Sequence, residues 1–555
     1  MSNHGAQPHK VLRLDPRDNV LVALTNLRKG ETVGLLAENH ELLSDVPAKH
    51  KFLTRDVPAG GDIIMYGLLV GKAVESLRRG ELLSTRNIRH AAADFHQQDG
   101  RFRWTPPEVS AWKDRTFLGY PRAGGRVGTR NHWLVVPLVF CENRNLNVLK
   151  QAFEEELGFA APQIYRRQVA ELARLYREGK SAELQKVAPG ESQFVPPAPK
   201  LFDNIDGIKF LLHEGGCGAT REDTKYLCAL LADYIVHPNV AGATVLSLGC
   251  QHAQIPMIQD AIKQRDPHFS KPLFFFEQQK SPSESAMLSR AIRETFIGLT
   301  EANKLTRRPA QLSDLCVGLK CGGSDGFSGL SANPAIGHLA DIVAALGGKG
   351  ILSEFPELCG VEQELINRCV SQAVSDRFIE LMRDYAARAK AVHASFEMNP
   401  SPGNVRDGLL TDAMKSAGAA KKGGTSPVSG ALDYTELATV PGLNLQCTPG
   451  SDVECVTAQV AAGSNVVLFT TGLGTPTGNP ITPVVKISTN SSLAGRMSDI
   501  IDIDAGPIIT GETTIEKMGE SILDLVLQVA SGHAKTKAEQ LSQDDFIPWK
   551  RGVSL

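Results

Sequence analysis

The 555-residue sequence is poor in aromatic side chains, at 6%, and has no excess of charge of either sign. Lys and Arg number 59 against 61 Asp and Glu, a formal net charge of −2. That balance gives no electrostatic bias toward nucleic acid or an anionic membrane surface. Long apolar runs are also missing: stretches such as Trp133–Cys141 fall well short of the roughly 20 residues that cross a bilayer. The opening MSNHGAQPHK is polar and lacks the apolar stretch of a signal peptide, so a cytoplasmic location is expected. Ten cysteines include no CxxC pair, and none falls in the first 140 residues. In a reducing compartment such thiols stay free, which argues against a disulfide framework. There is no P-loop, zincin or GxSxG motif, no internal repeat, no coiled coil and no low-complexity tract.

What is present is enough chain for about three domains of roughly 100–200 residues each. Asn19–Asn87 reads as short strands broken by turns at Arg28–Gly30, Gly60–Gly61 and Gly80, which defines a small β-rich module over residues 10–95. A polar stretch with a Pro106–Pro107 pair, residues 96–117, reads as a linker draped over the next domain. From Gly119 onward the pattern changes. Trp133–Phe140, Ala243–Leu248 and Pro272–Phe276 are continuous apolar runs ending near Cys, Gly or polar residues, with helix-like segments between them. Such runs predict parallel strands covered on both faces, an α/β body with mostly parallel sheets. We divide it into a central domain, residues 118–395, and a C-terminal domain, residues 396–555. Gln163–Leu184 reads as a charged amphipathic helix, followed by a Pro-rich, exposed Ala188–Lys200. The last domain is expected to hold strands at Asn465–Thr471 and Val484–Thr489 and a closing helix around Ser521–Ala530.

Several loops carry groups suited to chemistry. Lys320–Pro334 reads KCGGSDGFSGLSANP, four glycines interleaved with Ser324, Asp325, Ser328 and Ser331 before Asn333. Glycines there let backbone N–H groups approach a ligand, and Asp325 is suited to a metal or a substrate hydroxyl. NPSPGN fixes a loop presenting Asn399, Ser401 and Asn404. FTTGLGTPTG follows a strand but lacks the dinucleotide spacing, and its Thr470 and Thr471 at a strand end suit a small anion. His213 and Cys217 in HEGGC, and Cys250 and His252 in CQH, are soft donors at spacings that alone identify no metal site. Cys217, Cys250, Cys321 and Cys359 each sit beside glycine.

Together these segments resemble the altronate/galactarate dehydratase family nearly end to end. The resemblance is carried by HKFLTRDVPAGGDIIMYGLLVGKAV, GYPRAGGRVGTRN, HPNVAGATVLSLGC, KCGGSDGFSGLSANPAIG and LSEFPELCGVEQ, then by NPSPGN, KSAGAAKKGGTSP, FTTGLGTPTGNPITPVVKISTN and DIDAG. It implies an N-terminal SAF-type β-clip domain and a dehydratase body that removes water from sugar acids to give 2-keto-3-deoxy acids. It further implies a divalent metal, iron(II) or manganese(II), a small-molecule sugar-acid partner rather than nucleic acid or membrane, and a homo-oligomer. On this resemblance Lys415, His213 and Asp325 are the expected catalytic residues, with the base left open among Lys, His and a carboxylate. His50, Tyr66, Asn131, Ser324, Asn333, Asn404, Thr470, Thr471 and Lys486 are expected to bind substrate. Cys217, Cys250 and Cys321 are expected at the metal. The turns bearing Asp325, Asn404 and Thr471 should share one cleft.

The sequence departs from the family pattern at several places. Ser84–Thr85–Arg86–Asn87 stands where altronate-type members carry an HxH pair before Asn, and Asp15 replaces an early His. Gln251 replaces Glu, Met414 an acidic residue, Gly215 a Tyr, and Leu473 and Thr477 an Arg and a Tyr. Loss of these polar groups points to a smaller or less polar acid. Alternatives are therefore a lyase on a smaller hydroxy acid such as sulfolactate, or a sugar-acid-binding paralogue without turnover.

Overall fold

The computed structural model describes residues 9–35, 38–98, 102–160, 164–187 and 199–554. The N-terminal module is β-rich, as expected, with short antiparallel sheets. Val11–Leu12, Val20–Ala23 and Lys51–Leu53 form one, and Asp62–Met65, Leu68–Ala73 and Ile88–Arg89 another. Val20, Val22, Leu53, Ile63 and Val70 make its core. That core is completed from outside, by Phe327, Leu330, Leu410, Ala413 and Met414 of the body. The module is thus docked by apolar burial onto the glycine-rich segment.

The body contains two wholly parallel sheets. The smaller runs in the order Gly207–Phe210, His132–Pro137, Val240–Ser247, Leu273–Glu277. Every residue of His132–Pro137 and Val240–Ser247 is buried, which is why these segments read as unbroken apolar runs. The larger sheet has seven strands, ordered Val428–Leu432, Gly442–Gln446, Lys349–Leu352, Cys316–Cys321, Val466–Thr471, Val484–Ser488, Ile503–Asp504. Helices Ala332–Ala345 and Ile515–Ala530 pack together over it, and Asp452–Ala461 lies beside its central strand.

The division expected at 395/396 cuts through this larger sheet, whose strands come from both sides of it. The break between sheets lies instead after the helix Glu284–Ala302, which packs on the smaller sheet. A period of apolar residues marks a strand but not the sheet it joins, so the sequence reading placed the boundary too late. The charged helix expected over Gln163–Leu184 is Ile164–Arg177 followed by a short turn of helix at Ser181–Lys186. Most of the Pro-rich segment, residues 188–198, lies outside the described residues. The linker drapes over the large-sheet half: Gln98 donates to the carbonyls of Asn367 and Cys369, and Trp104 Nε1 donates to Thr425 Oγ1.

Order in the larger sheet fixes where a ligand belongs. The chain lays down Cys316–Cys321 first, adds Lys349–Leu352 on one side, then crosses to place Val466–Thr471 on the other. The carboxyl ends of Cys316–Cys321 and Val466–Thr471 flank the point where strand order reverses, the usual crevice of an open parallel sheet. KCGGSDG and FTTGLG are the loops that leave those two ends.

Candidate active site

The two loops are tied to each other at once. Gly322 N–H donates to Thr470 O at 3.0 Å, and Gly472 N–H to Gly323 O at 3.0 Å. A side chain on Gly472 would collide with the Asp325 carboxyl, 2.2 Å away, so glycine is required for the loops to close. Asp325 is fully buried, and its oxygens are filled. Oδ1 accepts from Ser328 Oγ (3.0 Å), Thr489 Oγ1 (3.0 Å) and Phe327 N–H (3.2 Å); Oδ2 takes Lys49 Nζ at 3.0 Å and Asn490 Nδ2 at 3.3 Å. Asp325 is therefore the strut that holds the turn and docks Lys49 of the N-terminal module, not a free base.

Asn404 Nδ2 donates to Ser324 O at 2.7 Å, while Thr471 Oγ1 accepts the N–H groups of Gly474 and Thr475. The turns bearing Asp325, Asn404 and Thr471 meet, but of the three residues only Asp325 lines the cleft formed over them. Asn333 accepts from Thr470 Oγ1 at 2.6 Å and donates to Gly418 O at 3.0 Å. Asn404, Thr470 and Thr471 thus brace the loops from behind.

Over this floor the N-terminal module places Lys51, Met65 and Tyr66, and helix Asp412–Ala419 places Met414, Lys415 and Gly418. Together with Ser324, Asp325 and Asn333 they line one closed cleft. Its free space is about 10 Å³, room for a single water. Gly329 lets the Tyr66 phenol in: a Cβ there would stand 2.3 Å from the hydroxyl. Tyr66 (φ 58°), neighbouring Lys49 (φ 73°) and Glu354 (φ 66°) adopt left-handed backbone despite their side chains. Such strain costs of order 1–3 kcal/mol per residue and gathers where function fixes geometry. Beneath the floor Glu354 is buried between Lys320 and Lys422, the latter at 2.6 Å, and Lys320 also pairs with Asp452 at 2.9 Å.

Two lysines differ in electrostatic state. Lys415 Nζ holds Glu357 at 2.8 Å and Asn399 Oδ1 at 2.6 Å, which leaves one of its three donors. Lys51 is wholly buried, with the Gly408 carbonyl as its partner at 2.6 Å. Burial, aided by the nearby Lys49 charge and opposed by Asp325, pulls its pKa down to about 7. Lys51 was missed in the sequence reading, which singled out its neighbour His50. His50 Nδ1 contacts the Ala48 carbonyl at 3.2 Å, and the residue does not line the cleft. A lysine between His50 and Phe52 gives no sequence signal of its own, because only the structure shows that all three residues of Lys51–Leu53 are buried.

The other expected residues lie elsewhere. Asn131 stands at the amino end of the smaller sheet, where Arg122 donates to it and it donates to the carbonyls of Asn204 and Ala302. Lys486 is held by Gln543 Oε1 at 2.6 Å, outside the cleft, and burial lowers its pKa to about 8. His213 lines a second cavity in the smaller-sheet domain. Its Nδ1 accepts the Gly215 N–H at 3.0 Å, so Nε2 carries the proton and donates to Pro137 O at 2.8 Å. Burial drops its pKa to about 4. With both nitrogens engaged it is not placed to act as a base. Cys217 and Cys250 are exposed in that same domain, whereas Cys321 is buried against Ser324 Oγ at 2.8 Å in the other. The three thiols do not form one ligand set. Among the described residues, no group of three or more His, Cys, Asp or Glu side chains is placed to hold a metal ion. The donors here therefore do not fit the expected metal. Also among the described residues, no helix is long and apolar enough to cross a membrane.

Comparison with known proteins agrees with this architecture. Residues 9–91 match the altronate/galactarate dehydratase SAF domain, 119–303 the second domain of D-galactarate dehydratase/altronate hydrolase, and 312–554 the D-galactarate/altronate dehydratase C-terminal domain. Altronate dehydratase of Escherichia coli (strain K12) is 32% identical over 549 residues, covering 98% of this chain and 99% of the relative. Galactarate dehydratase (L-threo-forming) of the same organism is 30% identical over 536 residues, covering 95% and 94%. The (2R)-sulfolactate sulfo-lyase subunit beta of Chromohalobacter salexigens is 31% identical over 441 residues, covering 78% and 97%. With an end-to-end relative above 30% identity and the SAF module seated on the glycine-rich crevice, the chain belongs to the altronate/galactarate dehydratase family of hydro-lyases.

Proposed function

We propose that this protein removes water from a sugar acid of the altronate/galactarate class, giving a 2-keto-3-deoxy acid, with Lys51 as the base. The observation that carries this reading is an amine with pKa about 7, sealed in the same cleft as Tyr66, Ser324 and Lys415. At neutral pH a substantial fraction of Lys51 is uncharged and can accept a proton, as a general base requires.

The substrate carboxylate takes the remaining Lys415 donor and the Ser324 hydroxyl, which stabilise the charge that builds as the C2 proton leaves. Lys51 Nζ accepts that proton. The C–H electron pair becomes the C2–C3 double bond, and the C3–O bond breaks. Burial keeps the Tyr66 phenol protonated, so it can hand the departing oxygen a proton and release water. The enol then becomes the C2 ketone as Lys51 returns its proton to C3, and the enol hydroxyl proton restores the phenol. Each side chain ends as it began.

The test is turnover of an aldonate and aldarate panel, read as 2-keto acid, by wild type and Lys51→Met. The variant should lose about 10²–10⁴-fold in kcat while still binding substrate. Full activity in a folded Lys51→Met protein would remove Lys51 from the mechanism. Ligand-induced thermal stabilisation without product from any panel member would favour the binding-only paralogue. The apolar side chains of Met65, Leu409 and Met414 in the cleft wall support a second reading on a less polar acid such as sulfolactate. There the C–S bond breaks, and sulfite rather than water leaves, which a sulfite assay distinguishes.

A further inference from the structure

Behind the cleft, three carboxylate oxygens lack a donor. Glu357 Oε1 holds Lys415 Nζ at 2.8 Å, but Glu357 Oε2 is buried without a hydrogen-bond partner. So are both oxygens of Asp412, the first residue of the helix that carries Lys415 one turn later. Glu357 is 2% exposed and Asp412 1%, and neither lines the cleft. The helix packs on the turn Phe355–Leu358 and the residues after it, so closely that a Cβ on Gly360 would lie 3.1 Å from the Ala413 Cβ.

Two ionised carboxylates only accept, so neither can satisfy the other, and an unpaired buried acceptor costs about 1–3 kcal/mol or more. One proton resolves this, because a neutral carboxylic acid donates. Asp412 is the group to carry it. Burial first, and the Glu357 charge next, push its pKa up to about 8. Lys415, the Cys359 thiol and the helix amino terminus pull the other way without prevailing. Glu357 has the Lys415 ammonium as its counter-ion. The other groups facing Asp412 leave this intact. Burial keeps the Cys359 thiol protonated and raises Glu362 to about 7, and Glu362 Oε2 is taken by the Gly360 N–H at 2.6 Å. From the N-terminal module, His90 Nδ1 accepts the Ala413 N–H at 3.4 Å, and burial lowers its pKa. Glu397 of the turn Phe396–Met398 acts on Cys359 and His90. Lys72 is paired with Asp62, Lys422 with Glu354, and Lys421 stands over the Tyr66 ring.

We propose that Asp412 is a positioning residue: as a neutral acid it donates to Glu357 Oε2, which fixes Glu357 and aims the free Lys415 donor at the substrate carboxylate. When Asp412 ionises, the added negative charge repels Glu357 and the incoming carboxylate alike. The role of Lys415 rests on the dehydration reading; the proton shared by Asp412 and Glu357 does not.

Infrared difference spectra of the full chain, wild type against Asp412→Asn, read the proton directly. At neutral pH the wild type should show the carbonyl stretch of a protonated carboxylic acid that the variant lacks, and it should fade as pH rises through about 8. Kinetics on an acid of the panel read the consequence. KM should climb about tenfold as pH passes 8, while kcat keeps the limb set by Lys51. Asp412→Leu removes the donor and should raise KM about tenfold at neutral pH with kcat little changed. Asp412→Asn keeps a donor but cannot ionise, so it should bring KM back and flatten its alkaline rise. Absence of the protonated-acid band overturns the shared proton. A KM that climbs in Asp412→Asn as in wild type, or that Asp412→Leu leaves alone, overturns the positioning role. Full activity of Lys51→Met removes the base from the dehydration reading without touching the band, so the two failures separate.

Discussion

At the residue scale, Lys51 makes the dehydration reading a matter of pH. As base it works uncharged, so kcat/KM should rise with pH through an inflection near 7 set by its pKa of about 7. Lys51→Arg, always charged, should erase that limb along with activity; a limb that survives in the variant would assign it to another group. Asp325 makes a different prediction. Asp325→Asn removes one of the two carboxylates that hold Lys49, leaving Asp407 at 2.9 Å, and should cost about 2 kcal/mol, read from urea unfolding. Ser324, Asp325 and Asn333 were legible in the glycine-rich run with its small polar groups, whereas Tyr66 and Lys415 were expected only from the family resemblance; all five line one cleft. Lys51 was not legible, because a lysine in a strand reads as solvent-facing unless the burial of both faces is known. His213 misled for a related reason: spacing shows two soft donors but not that backbone has already claimed both ring nitrogens.

At the scale of elements, apolar runs located strands well. Asn465–Thr471 was expected and Val466–Thr471 is found; Val484–Thr489 was expected and Val484–Ser488 is found. The closing helix begins at Ile515, a turn and a half before the expected Ser521, because Glu516, Lys517 and Glu520 mask its apolar face and Thr514 supplies the cap. Helix Asp412–Ala419 carries one of the links between module and body. Its cap Thr411 accepts the Met414 N–H and donates to Val70 O at 2.6 Å. Thr411→Val keeps the shape and removes both bonds, so about 1–2 kcal/mol of stability should be lost. A rise in KM larger than the fall in kcat would show that the link chiefly positions the module. In the smaller-sheet domain, burial depresses both His213, to about 4, and His237, to about 3, from an ordinary 6.5. The unfolded chain therefore binds more protons between those values. Stability is full above pH 6.5 and falls as pH drops toward 4, by about 3 kcal/mol for His213 alone. His213→Gln should flatten that part of a stability-against-pH curve; an unchanged slope would clear His213 of it.

At the scale of the whole molecule, the cleft that holds Lys51 is a seam between the N-terminal module and the large sheet, and it is closed. A space of about 10 Å³ cannot take a sugar acid, so the module must lift for entry and product release. Hydrogen exchange should accordingly be faster in Lys51–Leu53 of the free enzyme and slow when a sugar acid is bound. Exchange that ligand leaves untouched would mean the cleft opens some other way.

The crevice also has a birth order. Its two loops leave strands joined by a bond from Thr470 to the Lys320 carbonyl, 150 positions apart. At about 5–20 residues per second on the ribosome, the earlier strand waits roughly 8–30 seconds for its neighbour to be made. Until then its apolar edge stands bare, so overproduction of this chain should depend on chaperones that shelter nascent polypeptide, and shortened translation products should aggregate.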